Sequence, residues 1–329
     1  MTVEKLFQLF RKQNIIVIGD VILDAYMHGR ADRISPEAPV SILDVESKSY
    51  RLGGAANVAL NVHALGANPI LCSIIGSDLG GQQILDLMTK SKIGVDHVHA
   101  SAERRTSVKT RLMSANRQMM RIDEEQNNPL AHADEEKLLQ TITEAIAATR
   151  PDAIIFEDYD KGVITPVIIE RVISLARKHD IPVSVDPKKR NFLSYSGATL
   201  FKPNLKELKE GLNNPNILPE QTSLKAAFDF LMEVMPVDMA LFTLSSHGMF
   251  ITNGEFSEHV PTKAQHIADV SGAGDTVIAT ATCALAAGCT MSQIANTANS
   301  AAGIVCQQPG VVAIDATDLR NQLSKEPWV

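Results

Sequence analysis

Asp269-Val270-Ser271-Gly272-Ala273-Gly274-Asp275-Thr276 is the stretch of this chain whose residue types point most directly to chemistry. Two glycines bracket a small residue, a carboxylate follows, and the apolar run Val277–Leu285 reads as a buried helix ending at Gly288. A Gly-x-Gly turn at a helix start leaves the N–H groups of Gly272, Ala273 and Gly274 without helical partners. Together with the positive end of the helix dipole they suit a phosphate or a developing oxyanion. Asp275 would repel a phosphate unless it does chemistry, such as taking a proton from an attacking hydroxyl. The plainer alternative is a tight turn in which Asp275 only favours the dipole.

The elements that would position this stretch follow an α/β rhythm. Asn14-Ile15-Ile16-Val17-Ile18 is an apolar run closed by Gly19-Asp20, the profile of a buried parallel strand. Ligands of open α/β sheets gather at such strand ends, so Asp20 is a candidate, with a loop-capping aspartate as the alternative. After residue 125, helices at about 133–148 and 165–179 alternate with strands. These strands end at Glu157-Asp158-Tyr159-Asp160-Lys161-Gly162, Asp186-Pro187-Lys188-Lys189-Arg190, Pro203-Asn204-Leu205-Lys206-Glu207 and Ser245-Ser246-His247-Gly248. Polar residues thus collect on one edge. Asn204 and Glu207, three apart at a helix start, could face one way and hold a hydrated cation.

Two stretches break the rhythm. Asp24–Tyr50 and Thr106–Glu124 alternate only partly, the first also carrying prolines, which predicts short strands exposed on one face and paired into a small sheet. Such a sheet would serve as a lid, a dimer contact, or both. Between them Gly53-Gly54-Ala55-Ala56-Asn57 opens a small-residue helix that closes at Gly66. Asn57 lies in its first turn, either reaching a sugar hydroxyl or packing.

Composition narrows the classes. With 45% hydrophobic and 21% charged residues the chain forms an ordinary core. A net charge of −7 argues against a broad nucleic-acid surface. No apolar run reaches membrane-spanning length, and Leu6–Phe10 is too short for a signal segment. Cys72, Cys283, Cys289 and Cys306 lack Cys-x-x-Cys spacing and read as free buried thiols, so the expected compartment is the cytoplasm. The Walker-type phosphate loop is absent, as is Gly-x-Gly-x-x-Gly after the first strand, which disfavours a Ras-like NTPase and a dinucleotide dehydrogenase.

Gly53-Gly54-Ala55-Ala56-Asn57 and Asp269-Val270-Ser271-Gly272-Ala273-Gly274-Asp275 resemble the two signatures of the ribokinase (PfkB) carbohydrate kinases. Asn204-Leu205-Lys206-Glu207 resembles their Asn-x-x-Glu motif. The resemblance covers essentially the whole chain. It implies a ribokinase-like three-layer α/β/α domain over residues 1–329, with a β-sheet lid from insertions at about 21–50 and 98–125 that often serves in homodimerisation. Arg33-Ile34-Ser35-Pro36-Glu37-Ala38-Pro39-Val40, Lys109-Thr110-Arg111 with Arg121-Ile122-Asp123, and Asp158-Tyr159-Asp160-Lys161-Gly162 are similar to the D-glycero-β-D-manno-heptose-7-phosphate kinases, in the form without a following nucleotidyltransferase domain. Lys189 stands where the pattern has a glycine after Lys188.

The resemblance implies transfer of phosphate from ATP to the anomeric hydroxyl of a sugar phosphate, on the route to ADP-heptose and lipopolysaccharide core. Asp275 would be the base, and the amides of Gly272, Ala273 and Gly274 would stabilise the transferred group. Glu207 would hold Mg²⁺ through water, and a monovalent cation is an open possibility. Asp20, Gly53, Gly54 and Asn57 would orient the sugar, with Arg111, Lys161 and Lys188 as cationic anchors. Asn204, Lys206, Thr243, Ser245, Gly248 and Asn299 would receive the nucleotide. The alternatives are a family kinase for another sugar or a nucleoside, and a regulator that binds sugar phosphate without catalysis.

Overall fold

The computed structural model describes residues 1–115, 117–262 and 267–325. The chain opens with α1 (Val3–Phe10), whose buried Val3, Leu6, Phe7 and Phe10 recur at helical spacing and whose N-terminus Thr2 caps. Strands β1 (Asn14–Gly19), β2 (Val21–Ile34) and β3 (Ser41–Gly54) lead to α2 (Ala55–Ala64). β4 (Asn68–Gly76), α3 (Leu79–Lys90), β5 (Val98–Ser101), β6 (Ser107–Ser114) and β7 (Arg117–Glu124) follow. The alternating half comprises α4 (His132–Thr149), β8 (Ala153–Glu157), α5 (Pro166–Lys178), β9 (Val183–Asp186), β10 (Leu200–Phe201) and α6 (Leu205–Gly211). It continues with α7 (Gln221–Val234), β11 (Met239–Thr243), β12 (Met249–Thr252), β13 (Ser257–Val260), α8 (Ala273–Ala286), α9 (Met291–Val305) and α10 (Ala316–Ser324).

Among the described residues, nine strands form one sheet in the order β13-β12-β11-β10-β9-β8-β1-β4-β5. From β11 to β5 neighbouring strands run parallel, and β12 and β13 add antiparallel at one edge. Alternation along β1 divides the core: Ile16 and Ile18 join the cluster that holds α4, α5 and α7, whereas Ile15 and Val17 join the one that holds α1, α2 and α8. Helices therefore cover both faces, giving three layers. Strand order reverses between β1 and β8, and an open α/β sheet offers its ligand crevice at such a reversal, outside the carboxyl ends of the strands.

The second sheet runs β3-β2-β6-β7. Its first two strands are long rather than short, since fourteen-residue β2 and β3 form one hairpin whose registry shifts between His28 and Gly29 and between Arg30 and Arg33. Pro36 and Pro39 lie in the connecting turn, where a missing N–H costs no ladder bond. The expected second lid segment also needs correcting: Val98–Ser101 pairs with β4 in the large sheet, so the lid strands begin at Ser107.

β1 and β2 meet at Asp20, which departs from its expected role beside a sugar. Its Oδ2 accepts the N–H groups of Tyr159 (2.9 Å) and Lys161 (3.0 Å), and its Oδ1 that of Val163 (3.0 Å). The carboxylate is buried and serves as the cap of the loop after β8, the plainer of its two readings. Asp20→Ala strands three backbone donors, that of Val163 buried and those of Tyr159 and Lys161 partly so, and a loss of roughly 3 kcal/mol is expected. Urea unfolding checks this; a midpoint equal to wild type would show that the loop holds itself.

Candidate active site

α8 begins at Gly272, whose φ of 79° lies in the left-handed region. A Cβ there would sit 2.9 Å from the Asn57 amide nitrogen, so both backbone and space require glycine. α2 begins likewise at Gly54, with φ 58° and the Asp20 carbonyl 2.3 Å from where a Cβ would lie. The two glycine-capped helices pack against each other through small residues. Gly53 is needed for a third reason: its Cβ would collide with the Asp24 carboxylate.

This approach brings Asn57 to Asp275. Asn57 Nδ2 donates to Asp275 Oδ2 at 2.7 Å, and the Tyr159 hydroxyl donates to Oδ1 at 2.8 Å. Asn61, one turn after Asn57, donates to its carbonyl and accepts from Thr276 Oγ1 and the Ile314 N–H, which locks α2 to α8. Asp275 is buried, and that burial lifts its pKa from 3.8 to about 6, against the lowering effect of the two donors. Such a value suits a proton acceptor near neutral pH.

Beneath the Gly-Ala-Gly turn lies a cluster of buried charge. A Cβ on Gly274 would be 3.7 Å from Asp186 Oδ2 and 3.8 Å from Lys202 Nζ, and those two groups pair at 2.7 Å. Burial alone would depress the Lys202 pKa, but Asp186, Glu207 and Glu157 around it reverse the sign and hold the ammonium charged. Glu157 sits between Gly19 and Asp186 in register, fully buried, with neither oxygen hydrogen-bonded among the described residues. Burial first, then the charges of Asp186 and Asp275, raise its pKa well above the usual carboxylate range.

Lys188 belongs to this cluster rather than to the lid side, where an anchor for a sugar phosphate was expected. Its ammonium pairs with Glu207, lies 3.7 Å from Asp186 Oδ1 and stands over the Tyr159 ring. Asn204 and Glu207 do lie together, but as a reciprocal capping box: the Asn204 side chain accepts the Glu207 N–H at 2.9 Å and Glu207 Oε2 accepts the Asn204 N–H at 2.8 Å. Glu207 thus already serves a helix start and a lysine. Asp186 Oδ1, buried at the same cavity, accepts no hydrogen bond among the described residues and meets only the Lys188 ammonium at 3.7 Å, which makes it the more open acceptor for a hydrated cation.

A cavity of about 780 Å³ runs from Asp275 along these residues. Lys206, Thr243, Ser245, Gly248 and Asn299, the residues expected to receive the nucleotide, line it, and its size suits a nucleotide. Asn299 Nδ2 donates to the Pro261 carbonyl at 2.7 Å. On the lid side, Arg111 pairs with Asp24 and lies 5.2 Å from the Tyr26 ring centroid, while Lys161 Nζ pairs with Glu125 at 2.9 Å. Asp24, Tyr159, Asp186, Lys202 and Glu157 were not singled out from sequence. Their shared signal was position: four of them sit at or just past the carboxyl end of a strand.

The sequence matches the profile of the pfkB family carbohydrate kinases over residues 12–318. The bifunctional protein HldE of Trichlorobacter lovleyi is 40% identical over 98% of this chain and 65% of its own length; that of Geobacter sulfurreducens is 37% identical over 98% and 65%. The chain thus spans slightly under two thirds of these relatives. Phosphofructokinase-2 from Escherichia coli, solved with potassium, superposes with a TM-score of 0.78 at 17% identity, covering 95% of this chain and 99% of that one. Arabidopsis thaliana ribokinase, solved with ribose and ATP, gives 0.72 at 17% identity over 94% and 98%. The architecture is ribokinase-like, and the chain belongs to the pfkB family of carbohydrate kinases.

Proposed function

We propose that this kinase phosphorylates the anomeric hydroxyl of D-glycero-β-D-manno-heptose 7-phosphate with ATP, giving the 1,7-bisphosphate and ADP. The observation that carries the reading is Asp275, a buried carboxylate poised near pH 6 at the amide-lined start of α8, at the mouth of a nucleotide-sized cavity. The choice of heptose rests on the motifs around Arg33, Lys109 and Lys161 and on the similarity to the HldE proteins. The acceptor oxygen bonds to the γ-phosphorus while its proton passes to Asp275, and ADP departs with the electrons of the broken bridge bond. The amides of Gly272 and Gly274 would stabilise the charge that builds on the transferred group, whereas the Ala273 N–H, expected to join them, already donates to the Val270 carbonyl at 3.2 Å. Lys188 and Lys202 add positive charge on the nucleotide side.

Asp186 and Glu207 would hold Mg²⁺ through its water shell, and the Asp186 oxygen that accepts no hydrogen bond among the described residues fits that use. When bound, the ion neutralises phosphate charge. The same reading gives Asp24 and Gly53 a place beside the sugar, with Asp20 acting through the loop it caps. It also includes a homodimer: the lid exposes Ile34 (73%), Met119 (53%) and Met120 (59%), which a second copy would cover. Sedimentation at micromolar concentration is expected to show a dimer that Met120→Lys weakens; a wild-type monomer removes this part.

An ADP-release assay over a sugar panel tests the substrate. Heptose 7-phosphate should be preferred; preference for a sugar without phosphate points to another acceptor, and no release with any sugar points to a regulator. Asp275→Asn is expected to lower turnover by ~10²–10⁴-fold while ATP binding persists. Near-normal turnover would remove Asp275 from the chemistry.

The base must be ionised, so the rate should fall as pH drops through about 6. Tyr159→Phe removes a donor that lowers this pKa and should shift the acidic limb to higher pH. An unmoved limb would mean that the hydroxyl does not tune the carboxylate.

A further inference from the structure

The strand registry of the lid sets Asp24, Lys109 and Asp123 in one row and Tyr26, Arg111 and Arg121 in the next. Each acid near this surface is already claimed: Asp24 by Arg111, Asp123 by Arg121 at 2.8 Å and Glu125 by Lys161 at 2.9 Å. Five cations, Arg51, Lys109, Arg111, Arg121 and Lys161, thus stand near these three carboxylates, and Arg51, opposite Asp24, is held by the carbonyls of Pro309 and Val311. Lys109 is the one left over. Among the described residues it has no ion pair, and its ammonium stands 5.6 Å from the centroid of the Tyr159 ring.

Lys109 is half-buried on β6, and Lys161 belongs to the loop that Asp20 fixes, so two ammonium groups converge from lid and sheet edge. Burial and then the Lys161 charge depress the Lys109 pKa, against the opposing pull of Asp24, Asp123 and Glu125. Lys188, by contrast, is already committed to Glu207 and Asp186 on the nucleotide side. Tyr159 connects the two regions: its ring meets both Lys109 and Lys188, and its hydroxyl meets Asp275.

We propose that Lys109, with Lys161, anchors the phosphate monoester that the acceptor sugar already carries. This rests on the kinase reading above and deepens it. A dianion beside Lys109 would supply the anion that this lysine lacks, with Lys161, held by Glu125, adding a second donor from the sheet edge. Because the lysines sit on different elements, the same phosphate would draw the lid onto the sheet edge, and a sugar without phosphate would leave Lys109 without a counter-ion.

Calorimetric titration of heptose 7-phosphate into wild type, Lys109→Met and Lys109→Arg tests the anchor, with circular dichroism to verify folding. Lys109→Met should weaken binding by about tenfold or more, and Lys109→Arg should restore most of it. Affinity for ADP, which lies on the Lys188 side, should be unchanged in both. Equal sugar-phosphate affinity in folded Lys109→Met overturns the anchor, and so does a wild-type protein that binds no sugar phosphate. Binding is read apart from turnover, so a wild type that binds the sugar phosphate but releases no ADP overturns the kinase reading alone.

Discussion

A carboxylate buried at the amide end of α8 is the constraint from which the rest of the site follows. Raising Asp275 from 3.8 to about 6 corresponds to ~3 kcal/mol against its charged form. The fold keeps it usable by bringing two neutral donors from separate elements, Asn57 on α2 and Tyr159 on the loop after β8. Each donor has its own support. Asn61 ties α2 to α8, and Asp20 gathers the three N–H groups that shape the Tyr159 loop. Gly272 lacks a Cβ because the Asn57 amide occupies that space.

The same sheet edge collects further buried carboxylates. Asp158 rises to about 6, chiefly by burial, and Asp20 and Glu157 are shifted in the same direction for the same reason. A raised carboxylate pKa makes the folded state bind more protons than the unfolded one, so these groups take stability away as pH climbs from the usual carboxylate range, for Asp158 and Asp275 through about 6. The apolar clusters on either face of the sheet must outweigh that loss. Groups whose ionisation disfavours the fold but suits proton transfer mark a functional edge. They lie where the strand order reverses, since parallel strands leave their carboxyl ends free of hairpin turns there.

Much of this could be read in the sequence because local signals carried it. The glycines before Asp275, the polar strand ends and the Asn204/Glu207 spacing each reflect backbone chemistry within a few residues. What escaped depends on partners far along the chain. Asp20 looks the same whether it meets a sugar or the N–H groups of residues about 140 positions away. Lys188 and Lys161 are both strand-end lysines; only the packing of α6 puts Glu207 beside the first, and only β7 leads the chain to Glu125 beside the second. The four-residue strands β12 and β13 are too short for a period to show, and the length of the lid hairpin depends on registry shifts that no alternation pattern reveals.

On the proposed reaction, two phosphate-bearing molecules must approach within bonding distance, and both carry charge of the same sign. The lysines suit that problem by being divided. Lys188 and Lys202 are neutralised by Glu207 and Asp186 on the nucleotide side, whereas Lys109 on the lid has no acid of its own. The first pair keeps a buried cluster stable when no anion is near; the lone lid cation leaves attraction for a ligand that arrives from solvent. Tyr159 stands between them and touches the base, so a phosphate settling on the lid side presses on the residue that sets the position of Asp275. Recognition of the acceptor and placement of its proton acceptor then meet in one aromatic ring.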